Sequence, residues 1–133
     1  MTSKNDLIKC HNRIKPFIHN TPVLKSSSID EVIGARLYFK CDNFQKMGAF
    51  KMRGAANAIL QLSEDQKKRG VITHSSGNFA QALSLAANSI GVKAYIIMPS
   101  NATEIKKIAV KGYMGELIEC EPNLFAREKK SKE

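Results

Sequence analysis

The chain has 133 residues, 43% of them hydrophobic, and carries a formal net charge of +9. This length is enough for one small domain with its own core, and the hydrophobic fraction is that of an ordinary globular protein. No apolar run approaches the roughly 20 residues of a membrane helix, and no apolar stretch follows the charges of residues 1–6 as in a secretory signal. We therefore expect a cytoplasmic location and no membrane contact.

Cysteine spacing and charge distribution argue against a disulfide-bonded or metal-binding protein and against a nucleic-acid binder. Cys10, Cys41 and Cys120 lie far apart without a CxxC pair, which argues against a disulfide framework and against a metal site. The one dense basic cluster, residues 127–133, contains two acids and no aromatic residue, so it lacks a stacking platform for nucleic acid. We expect no nucleic-acid partner; the alternative, a basic nucleic-acid binder, predicts steeply salt-dependent binding. Residues 123–133 are expected to form a frayed tail.

Local patterns predict short elements in the first half of the chain and a regular alternation in the second. The first-half elements are a helix over 6–15 ended by Pro16, an extended segment from Thr21, a short helix closed by Gly34, a strand over 36–41, a loop over 43–48 and a helix over 50–62. The second-half elements are strands over 71–74, 94–98 and 116–120, separated by helices over 78–88 and 103–113. The last helix has Ile105, Ile108 and Ala109 on one face. This alternation predicts an α/β fold with an open parallel sheet, and the apolar middle strand is expected inside it.

Lys51 is a lone amine in an apolar run between two glycines. Its neighbours Ala49, Phe50 and Met52 could desolvate it, and desolvation makes a lysine amine a useful nucleophile. Gly48 and Gly54 would let something bulky lie against the backbone. The alternative is a solvated lysine at a helix start, which is the usual state of this residue type.

A second run, 75–79, follows the strand predicted over 71–74. Ligands of open α/β sheets bind beyond the carboxyl ends of strands, where backbone N–H groups and the helix dipole favour a carboxylate or phosphate. Ser76 can accept or deliver a proton, and Asn78 offers both a donor and an acceptor. The alternative is that these side chains cap the helix. The Lys51 amine could react with an aldehyde, and the turn 75–79 offers donors for an anion. This combination points to pyridoxal phosphate chemistry on an amino acid.

Several blocks carry a resemblance to a known family. They are Thr21–Leu24, Phe44–Lys46, Gly48–Ala55, His74–Asn78 with Gln81–Leu83, Lys106–Lys107, Ala109, Tyr113 and Cys120–Pro122. Over most of positions 7–122 the chain resembles the pyridoxal-phosphate enzymes of the tryptophan-synthase-β-like fold type. The Phe-Lys-x-Arg-Gly-Ala form is similar to that of the serine racemases and threonine dehydratases.

The resemblance implies roles for individual residues. Lys51 would bond covalently to the cofactor and move the α-proton on one face of the substrate, and Ser76 would face the opposite side. Phe50 would pack beside the cofactor ring, and Asn78 would contact the 3-hydroxyl. The loop that holds the substrate carboxylate would comprise Ser75, Ser76, Gly77, Asn78 and Phe79. Ser26, Ser27 and Lys46 match positions near an ATP effector, although Ser28 and Met47 depart from the usual residues.

The implied reaction is racemisation, β-elimination or both, on L-serine or L-threonine, by a homo-oligomer. The chain departs from the usual family residues at three places. It has Ala49 in place of Ser, Phe79–Ala80 in place of His-Gly, and a disturbed order of the common Gly-Ala pair near Met114–Gly115. Family members continue well past this chain's end, with the cofactor's phosphate cup in the later part. We therefore expect a truncated gene product or an incomplete gene model, weakly active or inactive alone.

The expected organisation has three parts. Residues 1–62 would be incomplete elements of the large domain, 63–122 a three-layer αβα small domain, and 123–133 the tail. The alternative function is a binding or regulatory module that pairs with a full-length homologue through its unfinished sheet.

Overall fold

A computed structural model describes residues 2–133. The α-helices in this part of the chain are α1 (Lys4–Ile14), α2 (Ser27–Ile33), α3 (Lys51–Leu60), α4 (Glu64–Arg69), α5 (Asn78–Ile90), α6 (Glu104–Gly112) and α7 (Leu124–Lys130). The strands are β1 (Val23–Leu24), β2 (Phe39–Lys40), β3 (Val71–Thr73), β4 (Ala94–Pro99) and β5 (Glu116–Cys120). Short 3₁₀ turns occupy residues 15–17, 42–44 and 46–48.

Capping residues set the ends of the first helices. Helix α1 begins two residues before the predicted start because Ser3 and Asp6 form a reciprocal capping box. Helix α2 is capped by Ser26 and ends at Gly34, whose φ of 71° is left-handed, as the sequence predicts. The strand expected over 36–41 is shorter, since only Phe39 and Lys40 pair, antiparallel, with β1.

Strands β3, β4 and β5 form a parallel sheet in that order, with α5 and α6 as crossovers. Ile96 and Met98 of β4 belong to the core cluster shared with α3 and α5. Tyr95 alternates with them and shares a cavity with Lys130 of α7, which contacts β4 and β5. Helices therefore cover both faces of the sheet, and the predicted fold class with its buried middle strand is confirmed.

The core continues across residue 62, where the sequence predicts a division between two domains. Small side chains dominate both helices at their interface, so α3 and α5 can pack closely. The fully buried residues of the two helices are Met52, Ala55, Ala56, Ile59, Ala80, Ala82, Ser84, Ala86 and Ala87. The domain division remains a prediction, but buried residues from both sides form one cluster.

Two helices fall where the sequence patterns predicted none. Helix α4 begins at a capping box between Ser63 and Gln66, a signal that the sequence contains. Helix α7 corrects the expectation of a frayed tail over 123–133: Asn123 accepts the N–H of Ala126 at 2.7 Å, and the helix packs on β4 and β5.

The apolar face expected on α6 points away from the core. Ile105 is 76% exposed and Ile108 65%, whereas Lys107 and Val110 are buried. Lys107 Nζ donates to the Ser100 carbonyl at 2.8 Å and pairs with Glu119 at 3.1 Å and Glu104 at 3.3 Å. The hydrogen bonds to Glu119 first, and then to Glu104, raise the pKa of Lys107 against the opposing effect of burial.

None of the helices formed by residues 2–133 combines the length and apolar composition needed to cross a membrane. In the same part of the chain, no three His, Cys, Asp or Glu side chains converge as metal ligands would.

Candidate active site

A sharp reversal of the backbone leads into α3. Met47 and Gly48 both have left-handed φ values, 56° and 75°. The first is uncommon for a residue with a side chain, and Met47 is held there by packing against the core. The following residue, Ala49, is extended and buried, and α3 starts two residues later at Lys51.

Lys51 is exposed at the first position of α3. Its Nζ lies 5.0 Å from the centroid of the Phe50 ring, which is itself 61% exposed. Ala49 and Met52 turn inward and are buried, so the described residues leave the amine exposed, as in the alternative of a solvated lysine at a helix start. Within residues 2–133 the amine takes part in no ion pair. The amine is therefore accessible to a ligand.

Three glycines near these motifs border open space. A Cβ added at Gly48, Gly54 or Gly77 would meet no described heavy atom within 4 Å beyond its chain neighbours and the backbone of its own helix. Gly54 lies three residues after Lys51, so it shares that face of the helix. The backbone beside the amine is thus uncovered, which leaves room for a flat ring.

The first turn of α3 is tied to distant segments by a cluster of charged and polar side chains. Arg53 donates to both carboxylate oxygens of Asp42, from Nε and Nη2, at 2.8 Å each. Thr21 Oγ1 donates to Asp42 Oδ1 at 2.6 Å and accepts from Arg53 Nη2 at 3.2 Å. The hydrogen bonds from Arg53 hold the pKa of Asp42 well below its usual range, and Thr21 adds to this. The pair also raises the pKa of Arg53.

Gln45 fixes the same loop at its other end. Its buried amide accepts the His19 N–H at 2.7 Å and donates to the His19 carbonyl at 2.9 Å. The same oxygen accepts the Lys46 N–H at 2.9 Å. Residues 42–46 are therefore anchored to the segment before β1 at two places.

The turn between β3 and α5 leaves the start of the helix uncapped by side chains. Gly77 is the N-cap residue, and no side chain caps α5 within the described chain. Ser75 Oγ accepts the Gly77 N–H at 3.3 Å, while Ser76 is partly buried and Asn78 is exposed at the first helical position. The alternative that Ser76 or Asn78 caps the helix is thus not realised. The first N–H groups of α5 remain suited to an anion.

Phe79 packs against the core. Its ring lines an open groove of about 400 Å³ together with Ile59, Leu62, Val71 and Leu83. The phenyl group thus lies between α3 and β3 in this structure. Its place in the predicted carboxylate loop remains a prediction.

The structure places the two motifs on neighbouring helices. Helices α3 and α5, which begin at Lys51 and Asn78, pack against each other, and the turn 46–48 also contacts α5. The structure shows no hydrogen bond or ion pair within residues 2–133 that joins the predicted effector residues Ser26 and Ser27 to Lys46. Ser26 instead caps α2 by accepting the Ile29 N–H at 3.4 Å.

The cluster of Arg53, Asp42 and Thr21 was not predicted from the sequence. Two of its members lie inside the blocks that carry the family resemblance, Arg53 in Phe-Lys-x-Arg-Gly-Ala and Thr21 before Pro22. The ion pair itself has no local signal, because any of the 12 acids was a potential partner for the arginine.

Comparison with known proteins agrees with this geometry. The family model described as "Pyridoxal-phosphate dependent enzyme" matches residues 14–133. The chain is 48% identical over 128 residues to the serine racemase of Dictyostelium discoideum, a match that covers 96% of this chain and 40% of that protein. It is also 48% identical over 123 residues to the beta-hydroxyaspartate dehydratase of Paracoccus denitrificans (strain Pd 1222), covering 92% of this chain and 39% of that protein.

Solved structures show the same fold. The crystal structure of the Dictyostelium serine racemase superposes with a TM-score of 0.92 over 96% of this chain and 42% of that chain, at 48% identity. The crystal structure of a threonine deaminase from the organism abbreviated T.th. superposes with a TM-score of 0.86 over 98% of this chain and 41% of its own, at 36% identity.

These matches confirm the predicted tryptophan-synthase-β-like fold. They also show that the chain spans about 40% of the length of the curated relatives it matches. Since the family model covers most of the chain, this protein belongs to the family of pyridoxal-phosphate dependent enzymes.

Proposed function

We propose that this chain supplies the N-terminal part of an active site for racemisation, β-elimination or both, on serine or threonine. The observation that carries the proposal is the exposed amine of Lys51, on a helix packed against α5, whose N-terminus no side chain of the described residues caps. Family membership adds the cofactor, since the matched family depends on pyridoxal phosphate.

The described residues fit such a cofactor in two respects. Lys51 offers an accessible primary amine for its aldehyde, and Gly48 and Gly54 leave the adjoining backbone open to its ring. Asn78, at the start of α5, would hold the 3-hydroxyl, and Phe50 would cover one side of the ring. When bound, the cofactor serves as the electron sink for the pair left by the α-proton.

The chain's own groups would manage binding and proton transfer. The turn 75–79 would bind the substrate carboxylate through backbone N–H groups at the start of α5, because the helix dipole favours an anion there. Lys51 Nζ would take the α-proton on one face. Ser76 Oγ would return a proton on the other face for racemisation.

The substrate class rests on the chemistry of the relatives. Serine racemase, threonine deaminase and beta-hydroxyaspartate dehydratase are named for amino acids that carry a β-hydroxyl group. Loss of that hydroxyl after α-proton removal gives dehydration, and reprotonation gives racemisation. We propose serine or threonine as the substrate of the complete site.

Replacement of Lys51 is the direct test. We expect the chain mixed with pyridoxal phosphate to develop a visible absorption band that Lys51→Ala abolishes, because the amine that holds the aldehyde is gone. The control is Lys111→Ala, which removes an exposed lysine from α6. A band of equal strength in Lys51→Ala would contradict the assignment.

We propose that the chain alone binds the cofactor weakly and turns over little substrate. Only about 40% of each curated relative is matched, and the resemblance assigns the phosphate contacts to the later part. Titration of the absorption band measures the affinity, and ammonia release from L-serine measures the turnover. Tight binding with rapid ammonia release would oppose this proposal.

A second candidate function is a module that pairs with a full-length homologue. The observation in its favour is exposed apolar surface: Val32 is 86% exposed, and Ile72 on the described edge strand β3 is about half exposed. Such surface commonly marks an interface. Co-purification with a full-length relative would support this function, and a strictly monomeric chain that captures none would oppose it.

Further proposals concern effector, assembly and location. An ATP site at Ser26, Ser27 and Lys46 predicts an ATP-dependent rise in melting temperature that Lys46→Ala removes.

A homo-oligomer would be detected by light scattering. A cytoplasmic location is supported by Cys10, Cys41 and Cys120, which are unpaired thiols, and is tested by cell fractionation.

A further inference from the structure

Arg53 lies two residues after Lys51 and binds segments that are 11 and 32 residues away in sequence. We propose that Arg53, Asp42 and Thr21 form a positioning cluster, which fixes the first turn of α3 and thereby sets the place of the Lys51 amine relative to α5. This inference rests on the proposed function of Lys51. None of the three residues is proposed to touch the cofactor or the substrate.

Helix α3 lacks the usual restraint at its start. Its N-cap residue is Phe50, whose side chain accepts no hydrogen bond from the first turn. The guanidinium of Arg53 replaces that restraint with two parallel bonds to Asp42, each of 2.8 Å. A two-point contact between two planar groups restricts orientation as well as distance, so it can hold the direction of the helix start.

Thr21 is the third member of the cluster and bonds to both of the others. It is only 4% exposed, and its hydroxyl bridges Asp42 at 2.6 Å and Arg53 at 3.2 Å. Its carbonyl accepts from Lys40 Nζ at 2.6 Å, which ties the end of β2 to the same point. Loss of one member would leave the others poorly satisfied in a sheltered place, so the cluster is expected to hold or fail as a unit.

Geometry, rather than charge alone, is the property to test. Arg53→Lys keeps the positive charge but removes the planar fork. Thr21→Val keeps the shape of the side chain but removes the bridging hydroxyl. Thr21→Ser keeps the hydroxyl and removes only the methyl group. Glu116→Gln is the matched control, since it breaks the 2.8 Å ion pair between Glu116 on β5 and Lys93, the residue before β4.

The experiment measures how fast pyridoxal phosphate is captured at Lys51 of the whole chain. Borohydride makes the bond between the aldehyde carbon and the lysine nitrogen permanent, and peptide mass spectrometry compares Lys51 with Lys111 as an internal reference. We expect the preference for Lys51 to fall roughly tenfold in Arg53→Lys and Thr21→Val, because small misplacements of a reacting group are costly. Thr21→Ser and Glu116→Gln should keep it.

A second readout detects the release of the turn itself. The N–H groups of Met52 and Arg53 bond to Ala49 and Phe50 at 3.4 and 3.1 Å, and that of Gln61 bonds to Ala58 at the other end of the helix. We expect hydrogen exchange in Arg53→Lys to rise roughly fivefold at the amides of positions 52 and 53 and to stay unchanged at Gln61.

The possible results separate this inference from the proposed function. If the unaltered chain prefers Lys51 and Arg53→Lys keeps both that preference and slow exchange, the positioning cluster is refuted while the proposed function stands. If the unaltered chain shows no preference for Lys51, the proposed function fails. The exchange rates then decide whether the cluster fixes the turn.

Discussion

Met114 and Gly115 show how single residues meet local constraints in this fold. Met114 has a φ of 64°, a left-handed value that glycine usually takes. Gly115 is required for a different reason, because a Cβ there would collide with Ser84 Oγ and lie 2.9 Å from Val110 Cγ1. The altered order of this pair therefore places the glycine where α5 and α6 leave no room.

We expect Gly115→Ala to lower the free energy of unfolding by about 1–3 kcal/mol through overpacking. Ser84 is buried, with its hydroxyl donating to the Ala80 carbonyl at 2.9 Å, so it has little freedom to move. The double variant with Ser84→Ala should recover part of the loss. Urea unfolding of the unaltered chain, both single variants and the double variant measures this coupling, and a fully additive result would contradict the expected collision.

Asp42 should make stability depend on pH in the acid range. Its pKa is lowered on folding, so its contribution is complete above the ordinary value of about 4 and is lost as pH falls through the lowered value. Unfolding midpoints between about pH 5 and 2 should fall more steeply for the unaltered chain than for Asp42→Asn. At neutral pH we expect Asp42→Asn to be less stable by about 2 kcal/mol. Parallel acid slopes would refute this assignment.

Among the elements, the caps of α2 were predictable and the orientation of α6 was not. The caps at Ser26 and Gly34 act through adjacent residues, so the sequence predicts α2 well. Helix α6 has the expected period, but its more polar stripe, with Lys107 and Val110, faces the interior, and Ile105 and Ile108 face outward. The buried stripe contains Lys107, because Glu119 and Ser100 lie where its amine can reach them. Those partners come from other elements, so no local pattern indicates them.

Helix α4 gives a direct test of capping. Ser63 Oγ accepts the Gln66 N–H at 3.2 Å, and the Gln66 side chain accepts the Ser63 N–H at 2.8 Å. Ser63→Ala should cost about 1 kcal/mol and lower the melting temperature by about 3 °C. Ser28→Ala, which removes an exposed hydroxyl from α2, is the control. Equal melting temperatures for Ser63→Ala and the unaltered chain would show that the capping box contributes nothing.

The whole molecule is organised around one core that joins the two predicted domains. Ile59 of α3 and Ile96 of β4 are both almost completely buried in the same cluster. The predicted division at residue 62 rests on a resemblance, whereas the packing of α3 on α5 depends on residues about 30 positions apart in the sequence. Contacts at that separation cannot be derived from periodicity.

A shared core predicts a single unfolding transition. We expect Ile59→Ala to destabilise the chain by about 3 kcal/mol and to shift the unfolding of both halves together. Ile105→Ala makes the same chemical change on the exposed face of α6, and its effect should stay within about 0.5 kcal/mol. Circular dichroism and hydrogen exchange in β4 follow the transition. Two separate transitions would favour independent domains.

Periodicity, glycines and caps were sufficient to predict the three parallel strands with their two crossover helices and the two runs that contain Lys51 and Asn78, but not α4 or α7. Each of these follows from residues close in sequence, whose backbone preferences act locally. The pairing of Arg53 with Asp42, the inward face of α6 and the exposure of Lys51 emerged from the folded chain alone, because each depends on which distant segments come together and how much surface they cover.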